Sequence, residues 1–109
     1  MEAVLKVGGS LAEHPAELKV LCKTLSTLAK THKMLIVPGG GEFADVARKL
    51  NEAYGLSNTT VHKMAVLAMD QFGLFLSDVT PNSRVCYSLE DMRSAEYGSL
   101  PILLPSHYI

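Results

Sequence analysis

Apolar residues along this chain fall into two rhythms, short continuous runs and an i, i+3, i+4 helical spacing. Ala3-Val4-Leu5-Lys6-Val7 and Met34-Leu35-Ile36-Val37 are runs of strand length. Their nearly continuous apolar character predicts strands of a parallel sheet covered on both faces. Between them, Leu18, Leu21, Cys22, Leu25, Leu28 and Ala29 recur at helical spacing after Pro15, a residue suited to a first helical turn. Glu17 near the start of that helix and Lys30, His32 and Lys33 near its end complement the helix dipole. Strand, helix and strand make a βαβ unit, whose crossover is right-handed by rule. A second helix is predicted from about Glu42 to Tyr54, with Phe43, Val46, Ala47 and Leu50 on its apolar face and Gly55 as its stop. Ser57 or Asn58 caps a third, running to about Asp78 and, at ~20 residues, ~30 Å long. It is apolar around most of its circumference, so one face is expected on the sheet and another on a second subunit. After the turn at Pro81-Asn82-Ser83 come a short strand at Arg84–Tyr87, a short helix at Leu89–Tyr97 and a buried strand at Pro101–Pro105. These elements predict an α/β fold, one domain over residues 1–109 with a mainly parallel sheet and flanking helices.

Composition narrows the function classes. The formal net charge of −1 gives no general attraction to nucleic acid or anionic membranes, so any affinity for phosphate must be local. No apolar run reaches the ~18 residues that span a bilayer, and the start Met1-Glu2-Ala3-Val4-Leu5-Lys6 has no secretory pattern. Cys22 and Cys86 are not at metal or CxxC spacing; both read as buried thiols of a cytoplasmic protein.

The chemistry centres on Val37-Pro38-Gly39-Gly40-Gly41-Glu42-Phe43-Ala44-Asp45, a strand, a glycine loop and a helix start. Consecutive glycines let a ligand approach the main chain, and the N–H groups of a helix start favour an anion, most naturally a phosphate. A plain tight turn is the alternative. The loop is not a Walker A motif, because no Gly-Lys-Ser/Thr follows the glycines. Gly8-Gly9-Ser10 closes the first strand, so both glycine loops emerge at the carboxyl edge of one parallel sheet, where open α/β sheets bind ligands. Lys6 is costly to bury in a two-sided strand unless its ammonium has a partner. It reads either as an edge-strand lysine reaching water or as a cation aimed at a ligand's phosphates. Glu42 and Asp45 lie in the first turn of the second helix, as dipole complements or as substrate contacts. His62 and Asp70, with Gln71 beside the latter, are expected on one face of the third helix, where they could meet a polar substrate group.

Lys6-Val7-Gly8-Gly9-Ser10-Leu11, followed about thirty residues later by Pro38-Gly39-Gly40-Gly41, resembles the amino acid kinase superfamily. Pro38–Asp45 and His62–Gln71 are most similar to its archaeal branch in methanofuran biosynthesis, which phosphorylates aminomethylfuran-methyl phosphate to the diphosphate. The resemblance implies the N-terminal, acceptor-substrate lobe of the carbamate kinase-like fold, with the nucleotide-binding half absent from these residues. It implies ATP and Mg²⁺ as co-substrate and ion, a small phosphorylated acceptor, and phosphoryl transfer resting on positioning and charge neutralisation. Lys6 would stabilise the transferring phosphoryl group; Gly8, Gly9 and Ser10 would cradle nucleotide phosphates; Gly39, Gly40 and Gly41 would hold the acceptor phosphate. Asp70, His62 and Asp45 would face the acceptor. The expected partner is a second copy, in a homodimer through residues 58–78, with no nucleic acid or membrane. The competing readings are an inactive lobe that binds anions or dimerises, and a Rossmann-type binder, against which the absent G-x-G-x-x-G spacing counts.

Overall fold

The computed structural model describes residues 3–88, 90–91 and 99–107. Strand β1 (Ala3–Val7) leads through a 3-10 helix (Gly9–Glu13) into α1 (Pro15–Leu28); β2 (Met34–Pro38), α2 (Gly41–Tyr54) and α3 (Asn58–Val79) follow, then β3 (Ser83–Cys86), β4 (Leu100–Leu103) and a 3-10 helix (Pro105–His107). The four strands form one parallel sheet in the order β1-β2-β4-β3. Of the helix expected at Leu89–Tyr97, all but residues 90 and 91 lie outside the described residues.

The pleat divides the strands between two faces. Ile36 and Met34 of β2, with Leu100 and Ile102 of β4, join Leu18, Cys22 and Leu25 of α1 and Phe72 and Leu76 of α3 in the main core. Leu35, Leu103 and Cys86 form a second cluster on the opposite face, with Val37 packed against it. Burial pushes the Cys86 thiol up from its ordinary 9.0 to about 11, partly opposed by the Arg84 charge. Cys22 is likewise buried and unpaired. α3 lies close on the sheet: a Cβ at Gly73 would sit 2.8 Å from Leu104 Cδ2 and 3.2 Å from Pro38 Cγ. No helix among the described residues is long and apolar enough to cross a membrane.

β1 departs from the sequence expectation. It is an edge strand paired only with β2, and Val4 and Leu5 are exposed. Its apolar run is therefore not covered on both faces within these residues, and Lys6 reaches solvent without the desolvation that two-sided burial would impose. The helix boundaries follow local chemistry. Ser57 caps α3 by accepting a hydrogen bond from the Thr60 N–H at 3.2 Å. Gly55 ends α2 in the left-handed conformation, at φ 63°.

Candidate functional site

The register Lys6↔Val37 and Val7↔Pro38 ends β1 and β2 side by side, which brings the two glycine loops into contact. The contact is backbone on backbone. A Cβ at Gly9 would lie 2.0 Å from Gly41 Cα, and one at Gly39 would lie 3.1 Å from Gly9 N. Gly41 also has φ +58°, a conformation that side chains rarely tolerate. Gly40 is fixed for another reason: its Cβ would meet the Ala44 Cβ at 2.5 Å as α2 begins. The Gly39 N–H donates to Val7 O at 2.8 Å, so this amide ties the loops together and is not free for a ligand.

Gly8 differs from all of these. Its φ of −71° and ψ of 141° suit any residue, and nothing lies within 4 Å of the position a Cβ would take. Neither conformation nor packing within the protein calls for glycine there. The open space there leaves the main chain accessible to a group from outside. Gly8 faces an open cleft of about 330 Å³ between the loops, near the lower end of the roughly 300–1,000 Å³ typical of small-ligand sites. Main chain from both loops lines the cleft, together with Ser10 and the side chains of Lys6, Asp45 and Arg48. α2 has no side-chain cap, so its first-turn N–H groups face the cleft end without a local acceptor. The arrangement suits an anion: main-chain donors, a helix start and the Lys6 ammonium at one place.

The structure thus brings together Lys6, Gly8, Gly9, Ser10, Gly39, Gly40, Gly41 and Asp45. It does not bring in His62 or Asp70. His62 is exposed on α3 away from the cleft. Asp70 is buried, and the pair does not share an environment. Its carboxylate accepts the Ser106 N–H at 3.0 Å and the Ser106 hydroxyl, which fastens the 3-10 helix after β4 to α3. The polar partner that a buried carboxylate requires is a Ser106 that sequence spacing alone does not reveal. Two charged cleft residues, Glu13 and Arg48, escaped the sequence reading. Arg48 follows Asp45 by three positions on α2 and pairs with it, a spacing that was available in the sequence. Glu13 reaches the cleft through the 3-10 helix after Gly8, which no periodicity signalled.

A family model described as the amino acid kinase family matches residues 1–99. The chain belongs to the amino acid kinase family. Among its relatives, a [5-(aminomethyl)furan-3-yl]methyl phosphate kinase of Methanocaldococcus jannaschii is 37% identical over 105 residues, covering 94% of this chain and 47% of that protein. The crystal structure of a uridylate kinase from Archaeoglobus fulgidus superposes with a TM-score of 0.77 at 23% identity, covering 94% of this chain and 50% of that one. The α/β architecture is thus shared with that uridylate kinase, and the chain spans about half the length of both relatives.

Proposed function

We propose that this chain is the acceptor-substrate lobe of an ATP-dependent kinase of the amino acid kinase family, acting on a small phosphorylated acceptor. The single observation that carries this reading is the cleft between the two glycine loops, where Gly8 leaves open room for a group to approach the main chain. The acceptor class follows the relative named for [5-(aminomethyl)furan-3-yl]methyl phosphate; phosphoryl transfer to its phosphate would give the diphosphate. Within this chain, Gly8, Gly9 and Ser10 would bind nucleotide phosphates and the loop at Gly40–Gly41 the acceptor phosphate. Lys6 would neutralise charge between them, because two anions must be brought together for transfer. Mg²⁺ would be held chiefly by the nucleotide's own phosphates, since no group of three or more His, Cys, Asp or Glu converges among the described residues. The open edge of β1, with Val4 and Leu5 exposed, is where further nucleotide-binding structure would extend the sheet. Two buried, unpaired thiols suit a cytoplasmic enzyme.

Gly8→Ala tests this reading. The fold has room for the methyl group, so the thermal midpoint should stay within about 2 °C of wild type, as for a surface change. Affinity for phosphorylated ligands should fall about tenfold or more, the scale of losing one charge-assisted hydrogen bond. Unchanged affinity by calorimetry would remove the reason for a glycine at this position and the reading with it.

The outer face of α3 supports the homodimer. Leu67, Leu74, Phe75 and Val79 are large apolar side chains left exposed on one helix. Sedimentation equilibrium should give a dimer that Leu74→Glu converts to monomer; a wild-type monomer at micromolar concentration would end this assignment.

A further inference from the structure

The cleft has a charge balance that a simple phosphate does not explain. The residues that line it include two cationic ones, Lys6 and Arg48, and three acidic ones, Glu13, Glu42 and Asp45, which are spread along the cleft and do not form a metal-holding group. A dianionic ligand entering a site with excess negative charge is opposed by it. The balance is met by a ligand that brings a positive charge as well. Asp70, the α3 carboxylate that the family resemblance placed facing the acceptor, is buried and committed to Ser106. The carboxylate must come from the cleft itself.

Asp45 already holds a cation. Its Oδ1 accepts from the Arg48 guanidinium one helical turn along α2. The two side chains are 50% and 66% exposed respectively. Ion pairs as exposed as this are worth only about 0–1 kcal/mol, so a better-placed cation can displace the guanidinium.

Building on the reading of the cleft as the acceptor site, we propose that Asp45 is its specificity-determining residue. It receives the ammonium of an acceptor that carries both an amine and a phosphate, and Arg48 occupies that place until the acceptor arrives. The phosphate sits at the glycine loops and Lys6, while the ammonium reaches Asp45, just past the first turn of α2, and donates to its carboxylate in place of Arg48. Arg48 is then a competitor of the ligand's amine, not a second phosphate ligand. This assigns opposite signs to the effects of removing the two members of one ion pair.

The test compares [5-(aminomethyl)furan-3-yl]methyl phosphate with its N-acetyl derivative, which keeps the phosphate and loses the charge. Binding is measured at pH 7 to wild type, Asp45→Asn and Arg48→Met, with circular dichroism checking that each variant is folded. Wild type should prefer the free amine by about tenfold or more. Asp45→Asn should abolish that preference while leaving affinity for the N-acetyl derivative within about threefold. Arg48→Met should retain the preference or enlarge it, because the competing guanidinium is gone. Equal binding of both ligands by wild type, a preference that survives in Asp45→Asn, or weaker binding of both ligands to Arg48→Met overturns the proposal and leaves the phosphate site standing. Failure of wild type to bind either ligand overturns the acceptor-site reading, and the role of Asp45 falls with it.

Discussion

Alanine at Gly9 is expected to cost about 3 kcal/mol or more, at the upper end of overpacking changes, because its Cβ would lie 2.0 Å from Gly41 Cα and 2.2 Å from Gly41 N. Both are backbone atoms, so no side chain can swing aside to make room. Relief requires the two loops to separate, and Gly39 binds them through its hydrogen bond to Val7. The approach is close from the other side too: a Cβ at Gly41, which sits at φ +58°, would lie 3.3 Å from Gly9 Cα. A loss of that size lowers the thermal midpoint of a small domain by roughly 10 °C or more. Thermal unfolding followed by circular dichroism reads the effect directly. A midpoint within about 2 °C of wild type would mean that the loops do not meet backbone to backbone. Gly8 and Gly9 are adjacent and chemically identical, yet a methyl group at Gly9 meets backbone at 2.0 Å and one at Gly8 meets open space.

That distinction marks the limit of what could be read from the sequence. The helices and strands were legible because their signals are local. Pro15 opens α1, Gly55 takes the left-handed stop of α2, and Ser57 caps α3, each by chemistry contained within a few residues. The meeting of the two glycine loops was legible as well, since parallel strands deliver their following loops to one edge. What was not legible depends on the order of strands in space. A buried strand and an edge strand can carry the same apolar run, so Ala3–Val7 read as covered on both faces although β1 lies at the edge with Val4 exposed. Asp70 shows the same limit for side chains. Helical spacing put it on α3, but its engagement by Ser106, thirty-six positions later, belongs to tertiary structure. Individual glycines were equally opaque: the run Gly39-Gly40-Gly41 signalled a ligand loop, whereas each of the three has a packing or conformational reason of its own.

Lys6→Ala carries the second large effect, and it falls on binding instead of folding. Lys6 is exposed on the edge strand, opposite Val37, and makes no ion pair among the described residues. Truncating such a side chain changes stability by no more than about 0.5 kcal/mol. Its ammonium is nevertheless one of two cations in the cleft, and the other is engaged by Asp45. Losing a charged hydrogen-bond donor to phosphate costs about 1.5–3 kcal/mol, or roughly 10- to 100-fold in affinity. In a form of the protein that transfers the phosphoryl group, turnover should fall further, by about 10²–10³-fold, since the charge Lys6 meets is greatest during transfer. Equal affinity in wild type and Lys6→Ala would reduce Lys6 to a solvent-facing edge residue.

The most direct measurement is a titration of the ¹⁵N-labelled chain with [5-(aminomethyl)furan-3-yl]methyl phosphate, following every backbone amide in wild type and in Lys6→Ala. The cleft predicts shifts concentrated at Gly8, Gly9 and Ser10, at Gly40 and Gly41, and in the first turn of α2, with saturation requiring at least tenfold more ligand in the variant. Shifts centred elsewhere, such as the exposed α1 surface around Lys23 and Thr27, or none at all, would contradict a phosphate site between the glycine loops.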